Sequence, residues 1–151
     1  MTRLILVFIF LQLNWLGLSA QTAEEDSVEI EVKQLIDQGG SLIKRRQLDS
    51  AVVLLKYTLD YTERELGEDH LLAGVIAHTL GYVHMVQEQQ DEAQSYYLEA
   101  LRIRRINYSP PNAELALTLN GLGVTYENEG NFTLAESHYI EARTNWEGAY
   151  G

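Results

Sequence analysis

The chain has 151 residues, no cysteine, and 22 Asp and Glu residues against 11 Lys and Arg residues, which leaves a formal net charge of -11. This length fits one ordinary domain, and without disulfides that domain must be held together by its own hydrophobic core. The negative charge argues against binding to nucleic acid or to an anionic membrane surface, because both would repel the chain.

Residues 1–20 have the pattern of a signal peptide. Arg3 precedes an apolar run over residues 4–11, which ends at Gln12 and is shorter than the roughly 20 apolar residues that span a bilayer. Small residues follow near Ala20, so we expect cleavage close to this residue and export, to the periplasm or as a secreted protein. A short membrane anchor that is never cleaved is the alternative. We expect no other association with a membrane.

The rest of the chain repeats itself with a period of 42 residues. A glycine followed twelve residues later by an alanine occurs three times in this register: at Gly39 and Ala51, at Gly81 and Ala93, and at Gly123 and Ala135. In each repeat, apolar residues recur at helical spacing on both sides of a polar stretch, which predicts two helices. We therefore predict an all-α fold of about six helices in three antiparallel hairpins, over residues 28–66, 70–107 and 112–151. The acidic segment 21–27 lies outside this helical scheme and is expected to be a tether.

Polar residues mark the predicted helix ends. The position that opens each second helix holds a side chain able to cap free backbone amides: Asp49, Asp91 or Thr133. Prolines at 110–111 end one helix, and Asn112 is expected to cap the next. The basic clusters at 44–46 and 102–105 are expected to be solvated helix C-termini, where cations offset the negative end of the helix dipole.

The glycines indicate close contacts between helices. A glycine inside a helix costs about 1 kcal/mol relative to alanine, so three in register point to places where a side chain would hold two helices apart. The expected partners are the alanines on the facing helix of the same hairpin. The large residues four positions after these alanines would then fill the space between neighbouring hairpins: Leu55, Tyr97 and Tyr139. Tyr97 is thus predicted to be a packing residue, and Tyr96 a half-exposed surface ring equivalent to His138.

These residues carry a resemblance to a known family. The set Leu80, Gly81, His84, Ala93, Tyr97 and Ala100 resembles a tetratricopeptide repeat, and the equivalent residues from Leu122 to Ala142 match it more fully. The 42-residue period and the linker "ELGEDH" resemble the long repeats of kinesin light chains, although Leu71 stands where their linker has proline. The resemblance covers about residues 28–151 and implies an α-solenoid of antiparallel helix hairpins that binds other proteins. Helix pairs of the HEAT type are the alternative fold, but they would not predict the register of glycine and alanine.

The sequence shows no catalytic pattern. It has no cysteine, no Gly-x-Ser-x-Gly elbow, no phosphate-binding loop and no His-Glu-x-x-His motif. His78 and His84 are six residues apart and so lie on different faces of a helix, which argues against a metal site. His84 is expected to be a buried, hydrogen-bonded imidazole, and residues 68–70 to cap and brace a turn. We expect no enzyme activity, no cofactor and no metal.

The resemblance also implies a site. In stacked helix pairs, the first helix of each pair lines a concave groove, where tetratricopeptide repeats usually bind their partner. Carrying the family's groove positions over by register predicts these lining residues: Ile36 from the first repeat, Val75, His78, Tyr82 and Met85 from the second, and Leu117, Asn120, Val124 and Glu127 from the third. Their mixture of apolar and polar side chains favours a peptide with one or two apolar anchors. The alternative is that they contact further repeats of a longer solenoid.

Two functions follow from these expectations. The first is an exported, non-catalytic scaffold that binds a peptide or a partner protein. The second is the N-terminal part of a larger exported protein with a downstream catalytic or signalling domain, such as the caspase-like CHAT peptidase domain that exported bacterial proteins with similar repeats often carry. Steps of 42 residues from Gly67 reach Gly151, where a linker to a fourth repeat is expected to begin. Without that repeat, Trp146 and Tyr150 would face water.

Overall fold

In the computed structural model, the backbone is described from Thr2 to Gly151 and the side chains from Thr22 onward. This part of the chain contains six helices and no strand, which confirms the predicted all-α fold. The helices are α1 (Thr2–Lys44), α2 (Leu48–Leu66), α3 (Leu71–Val86), α4 (Gln90–Asn107), α5 (Ala113–Asn128) and α6 (Phe132–Tyr150). They form the hairpins α1–α2, α3–α4 and α5–α6, because each helix packs most extensively on its partner across the short turn.

The N-terminal part of α1 differs from the prediction at the acidic segment 21–27. The backbone continues as helix through this segment, and its side chains from Thr22 to Ser27 are exposed. Alanine and glutamate are strong helix formers, and no Gly or Pro in the segment would end a helix, so its predicted place outside the helices is wrong. Packing against the core begins at Val28.

The signal-peptide prediction concerns residues 1–20, whose side chains lie outside the described part of the chain. Among the described residues, no helix combines the length and the apolar character that crossing a membrane requires. Export of the protein therefore stays a prediction from the sequence of residues 1–20, with its basic residue, its apolar run and its small residues before the expected cleavage point.

The turn inside each hairpin has the same form in all three repeats. It passes through one left-handed residue at equivalent positions: Arg46 (φ 61°), Glu88 (φ 61°) and Gly130 (φ 78°). The next residue donates its N–H to the carbonyl five positions back, as in a Schellman motif, and is already the N-cap of the following helix. The second helices therefore begin earlier than predicted, and the expected caps lie in the first turn instead: Asp49, Asp91 and Thr133. Among the observed N-caps Gln47, Gln89 and Asn131, only Asn131 accepts a hydrogen bond through its side chain from a backbone N–H of the helix that it caps.

The linkers between hairpins agree with the prediction. Asn112 caps α5, because its Oδ1 accepts a hydrogen bond from the N–H of Glu114 at 2.8 Å. His70 caps α3 through Nδ1, which accepts from a backbone N–H two residues later at 3.2 Å. Its neighbour Asp69 accepts a hydrogen bond from Arg102 of α4. Each linker is thus attached to the helix that follows it. The first linker is also attached to α4, the second helix of the following hairpin.

The glycines in register do mark close helix contacts, but their partners differ from the prediction. In all three repeats, a Cβ atom added to the glycine would clash with a large side chain of the same hairpin. The added atom would lie 2.7 Å from Leu55 at Gly39 and 2.9 Å from Tyr97 at Gly81, and it would also overlap Tyr139 at Gly123. The glycine thus makes room for the large residue sixteen positions later, which supplies the atoms nearest to the added Cβ, where the alanine twelve positions later was the expected neighbour. The reason is that, where two helices cross closely, a large side chain of one helix packs into the space between side chains of the other. The glycine enlarges that space because it has no side chain.

Tyr97 is a packing residue, as predicted, and it packs both within its hairpin and against the next one. Its side chain is only 2% exposed. The base of the ring lies on Gly81, and the tip lies on Gly121 of α5, where an added Cβ atom would come within 2.6 Å of the ring. One aromatic side chain therefore joins three helices of two hairpins.

A stacked aromatic pair lies beside this contact in the second and third repeats. Tyr96 is half-buried, as predicted, and stacks on His84 with ring centroids 5.3 Å apart. Tyr126 and His138 form the same stack one repeat later, with the two residue types exchanged. His84 is buried and its Nδ1 bonds the side chain of Gln89 at 2.5 Å, but its buried Nε2 has no partner. The expected hydrogen bonding of this imidazole is therefore found at one ring nitrogen and missing at the other.

Candidate partner-binding groove

The contacts between hairpins show which side of the array is concave. The backbone of α3 comes close to both α1 and α5, whereas the backbones of α2, α4 and α6 stay farther apart and meet through long side chains, as Arg105 of α4 does with Glu141 of α6. The first helices of the hairpins are therefore closer together than the second helices. Because of this difference, the array curves with α1, α3 and α5 on its inner side.

All the predicted groove residues lie on these inner helices, and none of them is buried. The more exposed ones are Tyr82, Leu117, Asn120 and Glu127. The half-buried ones are Ile36, Val75, His78, Met85 and Val124. Ile36 packs against the core of the first two hairpins, so it offers little surface to a partner. The open apolar surface is centred instead on Tyr82, which is 44% exposed, and Leu117, which is 40% exposed.

The inner face also has a depression near the hairpin turns, with a volume of about 540 Å³. It is lined by Met85, Val86, Glu88, Gln90 and Asn128. Of the predicted groove residues, Met85 is thus brought against α5, but Glu127 is not part of this depression. Glu127 accepts a hydrogen bond from the hydroxyl of Tyr139 at 2.6 Å and lies toward α6. Burial, together with this bond, raises the pKa of Tyr139 to about 12, so the hydroxyl keeps its proton and continues to donate.

Arg104 is a residue whose surroundings the sequence did not reveal. It was expected among solvated cations at a helix end, but its side chain is only 3% exposed. Its Nη1 donates to the backbone carbonyl of Glu114 at 2.7 Å and to Oγ1 of Thr118, and its Nη2 pairs with the Glu114 carboxylate at 2.9 Å. The linker after α4 places the start of α5 over the last turn of α4, and this buries the guanidinium. The equivalent residue one repeat earlier is Thr62, which is uncharged and buried, so the register with an uncharged residue was the sequence signal for this burial.

His78 lies on the inner face directly beside this buried arginine. Its Nδ1 is 3.5 Å from Nη1 of Arg104 and 3.4 Å from Oγ1 of Thr118, and its ring meets the edge of Tyr97 at a centroid distance of 5.3 Å. Burial and, second, the guanidinium lower the pKa of His78 to about 4, because both disfavour a positive charge on the imidazole. The groove therefore presents a neutral His78 at physiological pH.

The inner face has apolar area and hydrogen-bonding groups. The two histidines of α3 are held in separate places. His78 faces Arg104 and Thr118, whereas His84 faces Gln89 near the hairpin turn. Across residues 22–151, no three His, Asp or Glu side chains are grouped so that they could hold a metal ion. Such a surface can bind a partner by apolar contact and by hydrogen bonds.

Comparison with known proteins identifies the repeat. A family model described as a tetratricopeptide repeat matches residues 75–112, which include most of α3 and all of α4. No curated protein matches the sequence. Among solved structures, the chain is similar to BtubC (BKLC) from P. vanneervenii, with a TM-score of 0.73 and 23% sequence identity over 80% of this chain and 48% of that one. The chain thus spans about half the length of this neighbour, and the likeness shows a shared fold. Residues 75–112 of the central hairpin thus match a tetratricopeptide repeat, and the described part of the chain has three equivalent hairpins of this fold.

Proposed function

We propose that the protein is an exported, non-catalytic scaffold that binds a peptide or a partner protein along the inner face of α1, α3 and α5. The observation that carries this proposal is the exposed apolar surface on that face. Tyr82, Val86 and Leu117 are each at least 40% exposed, although they stand on helices whose other faces form the core. Exposed apolar side chains that neighbour each other in a concave surface are typical of an interaction site.

The surroundings of this apolar surface suggest the kind of partner. Tyr82 and Leu117 lie on neighbouring helices, and Asn120 and His78 place polar groups one turn away from them. A peptide with one or two apolar side chains could cover the first pair and bond its polar groups to the second pair. The chain carries a formal net charge of -11, so electrostatic complementarity favours a partner that is neutral or basic.

We predict that Tyr82→Ala or Asn120→Ala weakens partner capture and changes the free energy of unfolding by no more than about 0.5 kcal/mol, as expected for surface positions. The measurement is a pull-down from the exported fraction with the wild-type protein as bait, followed by quantitative recapture with each variant and a urea melt of each.

Tyr57→Ala is the matched control for this experiment. Tyr57 is 60% exposed on α2, outside the inner face, and stacks on Tyr61. Removing its ring should leave capture unchanged. Equal capture by wild type and by both groove variants would contradict the groove assignment, and equal loss with Tyr57→Ala would show that capture is a general effect of exposed tyrosines.

Export is part of the proposal and has its own test. The support is the sequence of residues 1–20, with a basic residue, an apolar run and small residues near Ala20. We expect N-terminal sequencing of the protein from the exported fraction to begin close to Gln21. Recovery from the cytoplasm alone with Met1 retained would contradict export, and recovery from membranes with an intact N-terminus would favour the uncleaved anchor.

A second candidate is that these repeats form the N-terminal region of a larger exported protein. The observation in its favour is the outer face of α6, where a depression of about 490 Å³ is lined by Phe132, Tyr139, Ile140 and Arg143, among others. The equivalent face of α4 is covered by α5, which is why Tyr97 is buried. One position departs from this equivalence, because Arg143 stands where the second repeat has the buried Leu101. A covering element would therefore have to offer an acceptor to this guanidinium. The reading frame beyond Gly151 tests the proposal directly.

A further inference from the structure

The buried Arg104 determines which nitrogen of His78 carries hydrogen. A guanidinium can only donate hydrogen bonds, and Nη1 of Arg104 faces Nδ1 of His78 at 3.5 Å. An N–H group at this position would point its positive end at the cation. Thr118 is compatible with this result, because its Oγ1 accepts a hydrogen bond from Arg104 and its own hydrogen can go to the carbonyl oxygen of Glu114 at 3.2 Å or to Nδ1 at 3.4 Å. Nδ1 is therefore the bare nitrogen of the ring.

The hydrogen of the neutral imidazole must then be on Nε2. This atom has no hydrogen-bond partner among the described residues, and it does not belong to the buried polar atoms that lack one, so it reaches solvent. His78 stands on α3, one of the inner helices, and is half-buried. We propose that Arg104 is a positioning residue that holds His78 as a neutral donor, so that the partner must place an acceptor oxygen, of a carbonyl or a carboxylate, against Nε2.

This proposal rests on the proposed function of the groove, but the geometry at His78 exists without a partner. The charged groups around the ring are Arg104 of α4 and, behind it, Glu114 of α5, whose carboxylate pairs with the same guanidinium. Burial and the guanidinium together lower the pKa of the ring to about 4, so the donor persists from neutral pH down to about pH 5. The equivalent position in the next hairpin is Asn120, whose exposed amide can both donate and accept. His78 can only donate, so it is more selective than Asn120 for the hydrogen-bonding group that a partner presents.

The first test is nitrogen NMR of the 15N-labelled full chain, which reports the protonation of each imidazole nitrogen. We expect Nε2 of His78 to carry hydrogen and Nδ1 to be bare, with no titration of the ring above about pH 5. In Arg104→Met, the pKa of His78 should rise and hydrogen should distribute over both nitrogens. Arg104→Lys, which keeps a donor and a positive charge, should restore part of the wild-type signal.

Arg102→Met is the matched control, because Arg102 lies on the same helix but is paired at the surface with Glu99 and Asp69. It should leave His78 unchanged. The wild-type spectrum alone decides the proposal if Arg104→Met does not fold: hydrogen on Nδ1, or titration near the ordinary histidine pKa of about 6.5, would overturn it.

The second test uses two small probes, N-acetylglycinamide, which offers only carbonyl oxygens, and acetate, which offers a carboxylate. Either probe should shift the Nε2 signal of His78 in the wild type. The probe that gives the larger shift shows whether a carbonyl or a carboxylate oxygen is the preferred acceptor. The shift should be smaller in Arg104→Met than in Arg102→Met. If Nε2 carries hydrogen but neither probe moves its signal, the acceptor part of the proposal is wrong, whereas failure to capture any partner in the pull-down would count against the groove function alone.

Discussion

Tyr97→Ala is expected to lower the free energy of unfolding by about 3–5 kcal/mol, the range for removal of a large buried aromatic side chain. The ring is 2% exposed and lies between Gly81 of its own hairpin and Gly121 of the next, and neither glycine has a side chain that could fill the space it leaves. Such a loss is a large part of the roughly 5–15 kcal/mol that holds a domain folded. A urea melt followed by circular dichroism should show the second and third hairpins unfolding far more readily.

Tyr97→Phe separates the ring from its hydroxyl. That hydroxyl makes no hydrogen bond within residues 22–151 and is not a buried unpaired group, so its removal should change stability by less than about 1 kcal/mol. Tyr97→Ala should lose partner capture only because the array unfolds. If it abolished capture while its melt stayed like that of the wild type, Tyr97 would be a binding residue and its assignment to packing would be wrong.

The second large effect is expected for Gly81→Leu, which should lower the free energy of unfolding by about 1–3 kcal/mol or more through overpacking. The new Cβ atom would lie 2.9 Å from the Tyr97 ring. The ring cannot move aside, because its other end rests on Gly121. The helices of two hairpins would have to separate together. The same urea melt measures the loss.

Gly40→Leu is the matched control, because Gly40 also lies inside a helix but nothing is within 4 Å of the position of its Cβ atom. This variant should be as stable as the wild type, or more stable by up to about 1 kcal/mol, since leucine is a better helix former than glycine. Gly123→Leu should cost less than Gly81→Leu, because Tyr139 is half-exposed and has room to move. An unchanged melt for both Gly81→Leu and Gly123→Leu would contradict the close crossings.

The inner face shows how far register alone predicts the position of a side chain. Every predicted residue stands on an inner helix and none is buried, because the 42-residue period carries a position from one hairpin to the equivalent position in the next. Register does not tell where a long side chain goes after it leaves the helix. Glu127 turns to the hydroxyl of Tyr139, and Ile36 packs into the core, so these two contribute little to the open surface.

The sequence by itself determined that the repeats are helical, how their helices pair and which glycines lie at the crossings. Gly39, Gly81 and Gly123 lie in register and mark the crossings, because a glycine destabilises a helix and its repetition at one position indicates a structural role there. Asn112 could likewise be predicted as a cap, since capping depends on residues that are neighbours in the chain.

Only the tertiary structure decided which residues meet across helices. Periodicity identifies the face of a helix, but the partner on the facing helix depends on how far the two helices are shifted along their axes. That shift brings Tyr97, and not Ala93, onto Gly81. The burial of Arg104 has the same origin. The linker positions the start of α5 over the last turn of α4, so Glu114 pairs with and covers a guanidinium that the sequence pattern predicted to be exposed to solvent.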